Sequence, residues 1–123
     1  MRISRRRFEE VVEQALRAVP AELRRAVENV EIVVEDWPTE EQLGSVGLAE
    51  GDSLFGLYEG VPLPERGLDP PLLPDRITLF QGPLEAACDT DDELREEIRR
   101  TLVHELAHYF GFDEDRIEEL GYG

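Results

Sequence analysis

Between Thr90 and Gly111 the chain reads as one long helix with a marked start and a marked end. Leu94, Ile98, Leu102, Leu106 and Phe110 recur in steps of four, which places them along one side of a helix. Thr90-Asp91-Asp92-Glu93 has the form of a capping box, with Thr90 accepting from the Glu93 N–H and Glu93 reaching back. Its three acids also stand at the positive end of the helix dipole. Gly111 suits the left-handed residue that closes a helix. The pattern predicts a helix over Asp91 to Phe110, about 30 Å long at ~1.5 Å per residue. A rod of that length spans a small domain, so the rest of the chain must pack against it.

The two halves of this segment differ. Up to Arg100 the outward positions are Arg95, Glu96, Glu97, Arg99 and Arg100, a solvated face. From Thr101 onward the run is T-L-V-H-E-L-A-H-Y-F, apolar except for His104, Glu105, His108 and two hydroxyls. The chain has 2 histidines, and both are here. At ~100° per residue they lie within about 40° of each other, with Glu105 on the adjoining edge. This is the H-E-x-x-H spacing, which presents two imidazoles to one Zn2+ and a glutamate to its water. Leaving three such groups in a mostly buried half-helix without partners would cost several kcal/mol, and a divalent cation satisfies all three.

Composition narrows the setting. A length of 123 residues predicts one domain, over 1–123, with a single modest core. Hydrophobic residues at 41% and charged residues at 34% fit a globular chain, and no apolar run approaches the ~20 residues of a membrane span. The start, M-R-I-S-R-R-R-F-E-E, lacks the apolar segment of a signal peptide, and the one cysteine, Cys88, suits a reducing compartment. A cytoplasmic location is expected. The net charge of -16 argues against nucleic acid and anionic membranes as partners.

Taken in order, Ser4 is the expected cap of a first helix through Phe8, Val11, Val12, Ala15, Leu16 and Val19. The run Arg5-Arg6-Arg7 reads as its solvated surface. Pro20 ends that helix and fits the first turn of a shorter one over Ala21 to Glu28. Val30 to Glu35 alternates and predicts a strand. Asp36 to Ser53 has no strong period and reads as loop. Leu54 to Glu59 is expected as a second strand, and Arg76 to Gln81 as a third, ended by Gly82-Pro83. Between them, Gly60 to Asp75 holds Pro62, Pro64, Pro70, Pro71 and Pro74, so it is an irregular loop and a candidate wall for an active site. Asp113 to Leu120 predicts a short last helix with Ile117 and Leu120 inward. Cys88 and Trp37 read as packing residues, and Arg116 as the partner of a nearby carboxylate.

A catalytic metal needs a third ligand and an open position. The continuation H-E-L-A-H-Y-F-G-F-D-E-D-R-I fits H-E-x-x-H-x-x-G-x-x-(ligand), in which Gly111 turns the chain back toward the metal. Counting along it gives Glu114, with Asp113 and Asp115 on either side as alternatives. The sole methionine is Met1, so no methionine turn lies beneath the site.

With these residues in hand, the chain resembles the small bacterial zincin-like metallopeptidases, or minimal metalloproteases, whose signature is H-E-x-x-H-x-x-G-x-x-D. The resemblance extends to Leu57-Tyr58-Glu59-Gly60-Val61-Pro62-Leu63, to Leu73-Pro74-Asp75-Arg76-Ile77-Thr78-Leu79, and to the tail Arg116-Ile117 with Glu119-Leu120-Gly121-Tyr122. It implies an α+β, zincin-like fold. In such a fold a small mixed β-sheet packs against an N-terminal helix and a C-terminal H-E-x-x-H active-site helix. It also implies zinc as cofactor and a peptide or protein substrate. The chain departs from the signature at the third ligand, where Glu114 stands in place of aspartate.

The expected roles follow. His104, His108 and Glu114 hold Zn2+, and Glu105 is the general base for the attacking water. An extended peptide lies along an edge strand, for which Leu54 to Glu59 is the candidate. Tyr58, Tyr109 and Tyr122 offer phenols for the oxyanion, although each residue type is more often packing. Two other readings fit the same motif: a zinc-binding interaction module without catalysis, and a metal-dependent RNA hydrolase. The latter is opposed by the acidic charge and the lack of a third histidine.

Overall fold

The computed structural model describes residues 1–25, 27, 30–48, 53–60 and 75–119, with the side chains of all of these except Glu114 and Ile117. Helix α1 covers Arg5–Arg17. The Ser4 hydroxyl accepts from the Arg7 N–H at 3.1 Å, and Phe8, Val11, Val12 and Ala15 are buried at the predicted spacing. The arginine run is only partly solvent surface. Arg5 donates to Gln81 Oε1, to the Val34 carbonyl and to Asp36, while Arg7 pairs with Glu10 and Asp91. Those two carboxylates raise the Arg7 pKa through hydrogen bonds, Asp91 more than Glu10. Helix α2 is a single turn, Ala21–Arg24, with Pro20 at its cap. The sequence predicts a helix to Glu28; residues 26, 28 and 29 lie outside the described ones, and β1 starts at Val30.

Three strands, β1 (Val30–Glu35), β2 (Gly56–Glu59) and β3 (Asp75–Phe80), form a mixed sheet in the order β1-β3-β2. β1 runs parallel to β3, and β2 antiparallel to it. In β3, all but Arg76 are buried, as expected of a central strand. The register sorts the side chains. Val30, Ile32, Val34, Ile77, Leu79, Gly56 and Tyr58 share the inner face, and Val33, Thr78, Phe80, Leu57 and Glu59 share the outer one.

Two helices occupy places where no helix was predicted. α3 (Glu40–Ser45) lies inside the stretch expected as loop, and starts with a full capping box between Thr39 and Gln42. α4 (Gln81–Ala87) follows β3 directly. The Gly82-Pro83 pair read as a strand terminator is its first turn, where proline's missing N–H leaves no hydrogen bond unmade. Trp37 is 62% exposed rather than buried, with its indole laid against Gly82, where a side chain would collide with the ring. The proline-rich loop expected over Gly60 to Asp75 lies outside the described residues, apart from its two ends.

Helix α5 runs over Asp91–Tyr109, with Phe110 as its C-cap. The Thr90 hydroxyl accepts from the Glu93 N–H at 3.1 Å, but Glu93 reaches back to the Asp89 N–H, one residue before the expected one. Leu94, Ile98, Leu102 and Leu106 are fully buried against α1 and the sheet. Each contributes about 1.5–3 kcal/mol by burial, more than the roughly 1 kcal/mol of a cap. The last helix, α6, is Glu114–Glu119. Among the described residues no helix is long and apolar enough to cross a membrane. The small mixed sheet packed against the N-terminal and H-E-x-x-H helices, which also pack on each other, is the α+β arrangement that the resemblance implied.

Candidate metal centre

The second half of α5 is held on three sides. Leu102, Val103, Leu106, Ala107 and Tyr109 are buried, which fixes the helix and turns His104, Glu105 and His108 toward a partly open face. The Glu105 side chain is 14% exposed and that of His108 39%. Nδ1 of His108 lies 3.5 Å from Oε2 of Glu105. Among the described residues no arginine forms an ion pair with Glu105.

The turn that follows is a Schellman motif. The Phe112 N–H donates to the Ala107 carbonyl at 3.0 Å, and the Gly111 N–H to the His108 carbonyl at 2.9 Å. Gly111 carries φ 81, a conformation in which a Cβ would be strained. The turn swings the backbone into α6, which opens at Glu114. Asp113 Oδ1 accepts from the Arg116 N–H at 2.8 Å and so caps α6, while Asp115 is exposed. Of the three candidate third ligands, Asp113 therefore has a structural task already. The side chain of Glu114 lies outside the described ones. Among the described residues no group of three or more His, Cys, Asp or Glu side chains could hold a metal. The structure brings Glu105 and His108 together, with His104 one turn before His108 on the same helix, and the fit to zinc rests on this donor chemistry: two imidazoles on one helical face, followed by a carboxylate-bearing turn.

Other candidates are placed elsewhere. Cys88 caps α4 and is buried, and burial first, then Glu97 and Glu93, pushes its thiol pKa up. It stands beside the early turns of α5; Glu93 and His104 are eleven residues apart, roughly 16 Å of helix. That agrees with a small packing residue. Arg116 approaches Glu119 at 3.5 Å, as expected for a local pair. Tyr109 is buried and packs its ring on Tyr58 and Phe110, which makes it a core residue. Tyr122 lies outside the described residues, as does the inward-facing assignment of Ile117 and Leu120.

Sequence reasoning missed Asp75. It opens β3 at only 2% exposure and accepts a hydrogen bond from the Tyr58 hydroxyl. This ties β2 to β3 beside Tyr109, one residue past His108. Both residues lie in the segments that carried the family resemblance, but no local pattern pairs them. A second link is the approach of β2 to α5. A Cβ on Gly56 would lie 2.5 Å from the Thr101 methyl, and the Thr101 hydroxyl is turned away to the Glu97 carbonyl at 2.8 Å. Gly56 and Tyr58, alternate residues on one face, thus set the strand alongside the histidine-bearing half of the helix.

A profile of zincin-like metallopeptidases matches residues 27–123, well over half of the chain. Among solved structures, a conserved hypothetical protein from Thermo thermophilus is similar. It is 26% identical, with a TM-score of 0.56, over 96% of this chain and 97% of the other. No curated protein matches.

Proposed function

Since the chain belongs to the zincin-like metallopeptidase family, we propose that it is a zinc-dependent endopeptidase with Glu105 as general base. His104, His108 and Glu114 are the residues that would hold Zn2+, with glutamate in the place of the signature's aspartate. Zinc, when bound, supplies a Lewis acid that acidifies water and polarises the scissile carbonyl. Glu105 takes the proton of the attacking water and passes it to the leaving amine. The substrate backbone lies along the outer edge of β2, which among the described residues pairs only with β3. The half-buried pair of Glu105 and His108 at 3.5 Å, in a chain of this family, is the observation that supports the reading most.

The test compares wild type with Glu105→Gln on a peptide library, after elemental analysis of both proteins. The expected result is stoichiometric zinc in both and a loss of cleavage of about 10²–10⁴-fold in the variant. Zinc in both with cleavage in neither would leave a zinc-binding interaction module. A wild type that takes up no zinc even when it is supplied would overturn the metal site itself.

A further inference from the structure

The outer edge of β2, which among the described residues pairs only with β3, is faced in part by α3. α3 stands over the outer face of the sheet, and a cavity of about 380 Å3 separates it from β2. Its apolar wall is formed by Leu57 and by Val46, which at 46% exposure is one of the two large hydrophobic residues left exposed among those described, and Gln42, Ser45 and Tyr58 complete the lining. The rim is acidic, formed by the exposed Glu41 from the first turn of α3 and Glu59 from the end of β2. Among the described residues neither glutamate forms an ion pair. The facing cation is Arg76, which in the register stands between Glu59 and Glu31, so the rim keeps a negative balance.

A partly apolar cavity with carboxylates at its rim matches a side chain with a long aliphatic stem and a cationic head. A peptide added to the edge of β2 sends alternate side chains to opposite faces of the sheet. Those on the inner face project to the side on which Gly56 and Tyr58 approach Thr101 and Tyr109 of α5. Their neighbours project to the outer face, where the α3 cavity lies. We propose that this cavity is a specificity subsite that binds an arginine or lysine of an extended peptide laid along β2, with Glu41 and Glu59 as the recognising groups. The proposal rests on the peptidase reading of the same edge. The net charge of -16 works in the same direction by drawing basic peptides toward the surface.

The experiment measures binding rather than turnover. Zinc-loaded full-length Glu105→Gln is titrated by fluorescence anisotropy with labelled peptides in which a single arginine is walked through a norleucine background. Arginine at one position is expected to tighten binding by about five- to tenfold, the range of two exposed charge contacts. Adding Glu41→Gln and Glu59→Gln is expected to reduce that gain below about twofold. Adding Glu13→Gln and Glu22→Gln, which remove the same charge from α1 and α2, is expected to leave it intact. A flat scan, norleucine binding as tightly as arginine, no peptide binding at all, or equal loss in the distant double variant would overturn the subsite. Position-selective binding with no cleavage by wild type would keep the subsite and sink the peptidase reading. Cleavage by wild type with a flat scan would do the reverse.

Discussion

From Asp91 to Arg100 the outward side chains of α5 satisfy one another. Arg95 pairs with Asp92 at 2.7 Å, Arg99 with Glu96 at 2.7 Å, and Arg100 with Glu96 and Glu97 at 3.4 and 3.6 Å. From Thr101 to Tyr109 the same helix carries no arginine, and His104, Glu105 and His108 are grouped on a partly open surface. One helix thus joins a stretch in which Asp92, Glu96 and Glu97 pair with its own arginines and Asp91 with Arg7 of α1 to one whose carboxylate has only imidazoles on its helical face. Ionisable residues differ less by their number than by their neighbours: a glutamate among arginines makes surface, and a glutamate between two imidazoles is the pattern that the proposed metal site uses. Thr101 marks the boundary, and Gly56 of β2 lies close against it.

The largest effect that sharpens this contrast comes from the core beneath each half. Leu94→Ala and Leu106→Ala, both at fully buried positions, are each expected to cost about 2–5 kcal/mol in urea unfolding. Zinc affinity, measured by chelator competition, should fall only for Leu106→Ala. If Leu94→Ala weakens zinc equally, the two halves are one functional unit and the contrast is lost.

A smaller effect is expected at the boundary. Gly56→Ala should destabilise by about 1–3 kcal/mol, because the new methyl meets Thr101 Cγ2. Thr101→Ser in the same chain should recover most of that loss, since serine keeps the hydroxyl bond to the Glu97 carbonyl and lacks the methyl. Thermal unfolding of the single and double variants reads this directly. A double variant no more stable than Gly56→Ala would mean the strand does not rest on Thr101.

The smallest effect belongs to the solvated half. A hydrogen bond from Arg99, with added pull from Arg100, holds the Glu96 carboxyl below its usual range, and Glu96 in turn raises the Arg99 guanidinium. A depressed carboxyl contributes stability above its unfolded pKa of about 4.3 and loses it as pH falls through the lower folded value. Both groups are substantially in contact with water, so Glu96→Gln should cost no more than about 0.5 kcal/mol at pH 7. The difference from wild type should vanish once the pH is well below that folded value. A difference that grows on acidification would show that the pair is not what holds this carboxyl down.

How much could be read from the chain depended on how local the cause was. The caps of α1 and α5, the buried row from Leu94 to Leu106 and the left-handed Gly111 all follow from residues within a turn or two of one another, and each stands where the pattern puts it. α3 and α4 escaped because six or seven residues show no periodicity, even though Thr39 and Gln42 form the same kind of box that announces α5. Asp75 escaped because it ends a proline-rich stretch. Nothing nearby announces that Tyr58, seventeen residues earlier, donates to it.

By itself the sequence determined that two histidines and a glutamate share one helical face, because that follows from a repeat of 3.6 residues and two well-marked ends. It also determined that this face has no arginine of its own turn to neutralise it. The tertiary structure alone decided which strand lies beside that face. It placed β3 in the centre and β2 at an edge, brought Gly56 against Thr101 and Tyr58 against Tyr109, and left a cavity under α3. Strand order and close approach depend on residues far apart in the chain meeting in one core, and no local pattern carries that information.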